Sequence, residues 1–287
     1  MKKKFLIAIV DKDLDSNHSF INNFLLLKNN YFKLILLCEN DSGDKELKIK
    51  DSTILPILKK RYLLNRIYNF IKIYFLLRDF KKKNRLNILI RNDPLALLAS
   101  SLVSDERDNL IFQSSFPHEL NNKFKGFFQK IIFLFLKKKK LNLISVSDYG
   151  LKRLTKLFPN YKKKMVIPLF SNFENYSKKK STHKENKYIT YVGSHSKFRN
   201  LKFVIEGIIL FIKKNQHHLK KKKFKFLFIG STKSEKNILM KLCGKFKNEF
   251  IFIENIKKNK INKYLNKSYL GISIIPPIDM YLQACPT

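Results

Sequence analysis

Cysteine is scarce in this chain. Its three cysteines, Cys38, Cys243 and Cys285, lie far apart, and none sits in a CxxC or Cys/His spacing. Neither a disulfide framework nor a structural zinc site is therefore expected. Acidic residues are few as well: 22 Asp+Glu stand against 59 Lys+Arg, a formal net charge of +37. Such a balance attracts polyanions, whether nucleic acid, anionic lipid or phosphorylated substrates. Long hydrophobic runs are missing, and no stretch approaches the ~18–20 apolar residues of a spanning helix. The apolar run at the start, Phe5–Val10, is followed at once by Asp11 and Asp13. A secretory leader needs an apolar region of roughly 7–15 residues and a small-residue cleavage site, so the opening reads as a buried strand and the chain as cytoplasmic. The patterns GxGxxG and GxxxxGK[ST] are absent too, which removes support for an ordinary dinucleotide site or a P-loop.

What is present is apolar material for two cores. The chain has 287 residues, is 44% hydrophobic and carries 26 Phe and 12 Tyr. That length suits two domains of roughly 100–170 residues each. The positive charge is mostly lysine, is spread along the whole chain, and accompanies abundant Asn, Ile and Phe. An AT-rich coding sequence produces that mixture whatever the function. Nucleic-acid binders concentrate charge on one element, use arginine forks, and expose stacking aromatics. The aromatics here fall inside apolar runs and read as core, so a basic nucleic-acid-binding protein is the less favoured reading.

The pattern alternates short apolar runs with longer amphipathic stretches. FLIAIV (5–10) reads as a strand, followed by a helix over about 17–28, and FKLILLC (32–38) is a second strand. A polar turn, ENDSGD, leads to a long helical stretch from about 60 to 82. Strands follow at 86–92, 109–115, 141–147 and 164–170. Helices are expected between them: one opened by Pro94, one over about 120–137, and one at 149–157 with Ser147 and Asp148 at its cap. The segment SNFENYSKKKSTHKEN (171–186) has no apolar periodicity and is the best linker. Alternation then restarts, with strands at 187–193, 224–230, 250–254 and 269–277, and helices near 200–214, 233–246 and 258–266. Continuous apolar strands alternating with helices imply parallel sheets covered on both faces. The fold class is therefore α/β with two Rossmann-like domains: 1–168, a linker at 169–186, and 187–287.

In doubly wound sheets ligands bind beyond the carboxyl ends of the strands. After the first strand come Asp11, Asp13, Asp15 and His18; after the strand at 86–92 come Arg91, Asn92 and Asp93. Helix capping accounts for most of the aspartates. His118 and Glu119, just past the strand at 109–115, are the candidate catalytic pair, able to supply a base or orient a hydroxyl. A surface histidine at a helix start is the plainer reading of His118. In the second half, YITYVG ends at Gly193 and is followed by Ser194, His195, Ser196, Lys197, Phe198 and Arg199. Glycine lets a backbone approach a ligand, and an arginine at a helix start combines a charged fork with terminal N–H groups, as a diphosphate requires. A second strand ends in Gly230.

The order of these pieces resembles the group-1 glycosyltransferases of the GT-B fold, of the retaining family 4 type. LISVSDYGLKRL is similar to the family's step near the end of its first domain, and VIPLFSNFE to the short i-P-n stretch after it. KYITYVGSHSKFRNLKFVIEGI resembles yvG…[KR]-g-l, where the glycine and the basic residue face the donor diphosphate. FKFLFIGS, FIFIENIKKNKINKYLNKSYLGISIIPP and QACPT resemble, in order, l-x-i-i-G, the d-x-g-i-x-P region, and the start of P-T-K-x-x-E. The match covers about 141–287 well and the first 140 residues in architecture only. Departures are the missing Gly-Gly pair after the first strand and Ser194 where many members have arginine. Gln283 sits at or near the first glutamate of the family's Glu-x7-Glu motif, whose second glutamate would lie about four residues past Thr287. The resemblance thus describes a chain that stops within its second domain, with apolar sheet surface left uncovered near Tyr269–Pro277.

What the resemblance implies is transfer of a sugar from a nucleotide-diphosphate sugar to an acceptor, a cell-envelope glycan or a lipid-linked precursor, without metal or a resident cofactor. Arg199, helped by Lys197, would neutralise the diphosphate. Gly193, Ser194, Gly230, Pro276 and Gln283 complete the expected donor site, on one wall of an interdomain cleft. An inactive fragment of such an enzyme is the alternative. Residues 59–83 and 123–140 each set an apolar stretch between lysine clusters. They read either as core-packing helices or as basic amphipathic helices able to lie on an anionic membrane surface.

Overall fold

A computed structural model of the chain describes residues 4–10, 32–39, 52–58, 62–115, 123–168, 188–195, 199–215, 224–256, 258–273 and 275. The chain divides into two compact units, Met1–Asn172 and Phe173–Pro277.

The first unit is a parallel sheet in the order β3-β2-β1-β4-β5-β6-β7. Its strands are β1 (Lys4–Ile9), β2 (Phe32–Glu39), β3 (Ser52–Ile57), β4 (Asn87–Arg91), β5 (Asn109–Ser114), β6 (Asn142–Ser145) and β7 (Lys163–Val166). The described helices are α1 (Leu63–Lys81), α2 (Pro94–Val103), α3 (Lys123–Leu136) and α4 (Asp148–Leu157). Strand β3 is absent from the sequence reading, which passes from a polar turn straight to the helix. Its run STILPI is short and carries Pro56, which cannot donate to a ladder; the strand lies at the sheet edge, where proline is tolerated. The helix expected over 17–28 falls outside the described residues.

Side chains alternate across the sheet, as a two-residue period demands. Ile7, Ile9, Ile35, Leu37, Ile88, Ile90 and Phe112 point to one face, where Ile73 and Leu77 of α1, Leu97 of α2, Phe133 of α3 and Leu154 of α4 cover them. All four helices thus share one face. Ala8, Val10, Leu34, Leu36, Cys38 and Leu89 form a separate core on the other. Phe112, Phe133 and Phe158 meet edge to face, with centroids 5.0–5.9 Å apart.

The end of α1 is anchored by charge. Lys81 Nζ lies 3.0 Å from Asp108 and 3.1 Å from Asp105, and donates to the Val103 carbonyl at 2.7 Å. Burial disfavours the ammonium, but the hydrogen bonds it donates to Asp108 and Asp105 outweigh it and raise its pKa. Buried Asp108 also accepts from the Leu86 and Asp105 backbone N–H groups, both at 2.9 Å. Asp108→Asn removes the charge and one of these acceptors, and is expected to cost about 2 kcal/mol in urea unfolding. Unchanged stability would show that the anchor contributes nothing.

The second unit is a parallel sheet in the order β10-β9-β8-β11. It comprises β8 (Tyr188–Val192), α5 (Leu201–Lys214), β9 (Lys225–Ser231), α6 (Lys233–Cys243), β10 (Phe250–Glu254), α7 (Lys258–Leu265) and β11 (Ser268–Ile272). Helix α6 stops at Cys243, earlier than the pattern implies, because Gly244 turns into the left-handed region and a 3-10 turn, Gly244–Glu249, follows. Phe226 is in register with Phe250, and Phe228 with Phe252. Their rings lie 5.6 and 5.3 Å apart, and with Tyr191, Ile205, Ile212 and Leu239 they make the core. Tyr269 and Leu270 on the edge strand β11 are exposed, as is Ile275 beyond it.

Candidate functional site

The carboxyl edge of the second sheet brings Gly193 and Gly230 together. The Gly193 N–H donates to the Ile229 carbonyl at 3.0 Å. A Cβ on Gly230 would run into the Gly193 carbonyl oxygen, and Gly230 has φ +120°, a conformation side chains rarely adopt. The volume beside Gly230 is therefore filled by the exit of β8, so packing alone explains this glycine. At Gly193 a Cβ would stand 2.9 Å from the Tyr191 hydroxyl, which itself donates to the Ser194 carbonyl at 3.0 Å. That tie holds the turn after β8, with Ser194 exposed and His195 folded inward.

His195 is 4% exposed. Its ring centroid lies 5.7 Å from Tyr191, 6.1 Å from Phe228 and 6.4 Å from Phe252. Neither ring nitrogen has a hydrogen-bond partner among the described residues. Burial pushes its pKa down to about 4, against a smaller opposing pull from Glu235, so the ring is neutral at pH 7. The sequence shows a histidine at a strand end; only the cross-strand aromatics reveal that it is core.

Two helices follow the glycine-ended strands, and their starts differ. At α6 the Thr232 hydroxyl accepts from the Glu235 N–H at 3.3 Å, and Glu235 Oε2 accepts from the Thr232 N–H at 2.8 Å. This capping box closes that terminus. At α5 the cap residue Asn200 is left-handed, with φ 50°, and makes no side-chain cap bond; no acid lies in the first turn. Arg199, half-buried, immediately precedes it. The α5 start is thus the terminus suited to an anion, through helix-end N–H groups, the macrodipole and a guanidinium.

The carboxyl edge of the first sheet is also polar. Arg91 is 8% exposed, with Nη2 3.5 Å from Ser115 Oγ. Asn92, left-handed at φ 53°, donates to the same hydroxyl at 2.6 Å and accepts from the Ser115 N–H at 2.8 Å. Arg153 on α4 donates to Ser114 Oγ at 3.0 Å, and burial lowers its pKa to about 10. Asp93 and Ser147 are helix caps, accepting from Ala96 N–H and Gly150 N–H at 3.1 Å each. Arg153 with Ser114 was not anticipated from the sequence, since 39 residues separate them. His118, Glu119, Lys197, Pro276 and Gln283, with Asp11, Asp13, Asp15 and His18, lie outside the described residues. No group of three or more His, Cys, Asp or Glu among the described residues is arranged to hold a metal ion.

No family model matches the chain, and no curated protein matches it significantly. Solved structures do. Sucrose-phosphate synthase from Thermosynechococcus elongatus superposes with a TM-score of 0.68 at 9% identity, over 94% of this chain and 75% of that one. Anabaena HepE, in complex with UDP and glucose, gives 0.63 at 11% identity, over 92% and 73%. The UDP-GlcNAc 2-epimerase of Methanocaldococcus jannaschii gives 0.55 at 13% identity, over 93% and 77%. With its two parallel α/β units, this chain has the GT-B fold of these structures.

Proposed function

We propose that the chain is a glycosyltransferase. It takes a sugar from a nucleotide-diphosphate donor and passes it, with retained anomeric configuration, to a cell-envelope glycan or lipid-linked acceptor at the cytoplasmic face of the plasma membrane. The observation that carries the reading is the contrast between the two helix starts: α6 is closed by its capping box, whereas Asn200 at α5 makes no side-chain cap bond among the described residues and is preceded by Arg199. A diphosphate placed there would meet the helix-end N–H groups, with Arg199 two residues before the helix to supply a guanidinium. As the bond to the sugar breaks, charge grows on the leaving oxygen, and these fixed donors stabilise that state more than the ground state. Gly193 allows the backbone after β8 to approach the phosphates, and Ser194 is exposed beside it. The fold likeness to HepE with UDP and glucose supports the choice of donor.

Arg199→Ala tests this reading. Loss of one charge-assisted contact is expected to weaken nucleotide-sugar binding by about 1.5–3 kcal/mol. Isothermal titration of nucleotide-diphosphate sugars into both proteins measures it. Equal affinities would remove the phosphate role from Arg199. An epimerase of the same fold would pass this titration, and the fate of the sugar distinguishes the two.

A further inference from the structure

Helices α1 and α3 carry apolar side chains on both sides. Their inner faces bury Ile73, Leu77, Phe133 and Leu136. Their outer faces expose Leu64 (78%), Tyr68, Ile71 and Phe75 on α1, and Phe127, Phe128, Leu134 and Phe135 (75%) on α3. A helix covered by a sheet on one side and by water on the other keeps its outer side polar. Both helices, with α2 packed against each, lie on one face of the first sheet, and Leu102 at the end of α2 is exposed as well. The outer surface of this layer is therefore apolar from α1 across to α3, beyond the scattered exposed apolar residues usual on a monomer.

Its charges are predominantly positive, the nearby exposed acids being Asp79 and Glu106, which lies 3.6 Å from Lys140. Helix α3 contains no acidic residue and runs into the exposed Lys137, Lys138, Lys139 and Lys140. On α1 the one acid is Asp79, paired with Lys82 at 2.9 Å, and the Phe75 ring carries Arg78 5.1 Å from its centroid. Lys81 turns inward to Asp105 and Asp108 and takes no part. A second copy of this chain would bring the same +37 charge to the contact. Apolar side chains edged by lysine and arginine match the acyl boundary and headgroups of an anionic bilayer. No helix among the described residues is long and apolar enough to cross a membrane, so the match is to a surface.

We infer that the outer face of α1 and α3 is a docking surface for anionic lipid bilayers. It gives the proposed lipid-linked acceptor a place to be met, and in that sense deepens the functional reading. Its test needs neither donor nor turnover. The full chain is sedimented with phosphatidylcholine vesicles, with and without phosphatidylglycerol. Three proteins are compared: the natural chain; a variant with Ile71→Ser, Phe75→Ser, Leu134→Ser and Phe135→Ser; and a control with Phe203→Ser and Leu210→Ser, exposed residues of α5 in the second unit. The natural chain and the control are expected to pellet with the anionic vesicles only, and less at high salt. The four-site variant should lose at least about tenfold in partitioning while keeping its circular dichroism and melting temperature. Equal partitioning of variant and natural chain, or equal recovery in the supernatant with both lipids, overturns the inference. So does an acidic protein that saturates this face and blocks vesicle binding while the natural chain alone shows no preference for anionic lipid.

Discussion

Gly230→Ala is expected to destabilise the second unit by about 3 kcal/mol or more, the sum of an unfavourable backbone conformation and a steric clash. Two causes act together. Gly230 has φ +120°, and the added methyl would collide with the Gly193 carbonyl oxygen while standing 2.9 Å from its carbonyl carbon. These are backbone atoms of the neighbouring strand's exit, held by the Gly193 N–H to Ile229 bond, so they cannot swing aside as a long side chain would. The end of β8 has to shift, and with it the turn that leads to Arg199. Nucleotide-sugar binding should fall along with stability. Gly207→Ala is the matched control: it lies within α5, and nothing comes within 4 Å of its added Cβ. There, alanine's better helix propensity should raise stability by about 0.5–1 kcal/mol. Urea unfolding followed by circular dichroism reads both. A Gly230→Ala protein as stable as the natural chain would mean that the two strand ends are not packed as described.

His195 should make the second unit acid-sensitive. Its pKa is about 4 in the folded chain, lowered chiefly by burial from the ordinary histidine value of 6.5. Between those values the unfolded state binds more protons than the folded one, so stability falls as pH drops through that window. It is lost progressively below pH 6.5 and levels off below the folded pKa of about 4. The full loss is on the order of 3 kcal/mol. His195→Phe keeps a ring among Tyr191, Phe228 and Phe252 and removes the titration and both nitrogens. Unfolding free energies of the two proteins should therefore diverge as the pH is lowered from 7 to 4, in favour of the variant. Parallel pH profiles would show that His195 titrates as it does in the unfolded chain.

Much of the architecture is legible in the sequence because parallel strands buried on both faces appear as unbroken apolar runs. FLIAIV, FKLILLC and FKFLFIG each fall within a residue or two of an observed strand. Strand β3 does not show because its run is short, half-exposed and broken by Pro56. Strand-end residues are legible for a related reason: a parallel sheet aims its loops at the carboxyl edge, which places Arg91, Asn92, Gly193 and Arg199 in advance. What they do there is decided by contacts between distant segments. Gly230 looks like a ligand-facing glycine and turns out to accommodate Gly193. His195 looks like a strand-end polar residue and turns out to lie inside an aromatic cage, assembled from three strands. The exposed aromatics are the converse case. Phe75, Phe127, Phe128 and Phe135 sit in apolar runs that read either as core-packing or as membrane-surface helices, and their side chains face outward. Composition cannot separate the two faces of a helix that is apolar on both.

Sugar transfer is tested by following the sugar itself. The purified chain is incubated with isotopically labelled nucleotide-diphosphate sugars and a membrane extract, and the products are resolved by mass spectrometry and NMR. Acceptor-dependent release of nucleoside diphosphate is expected. The label should appear in a glycoside of the donor's own anomeric configuration, and Arg199→Ala should reduce its yield. Acceptor-independent conversion of the donor to an epimer would contradict the account, as would donor left intact by a folded chain that binds no nucleotide sugar.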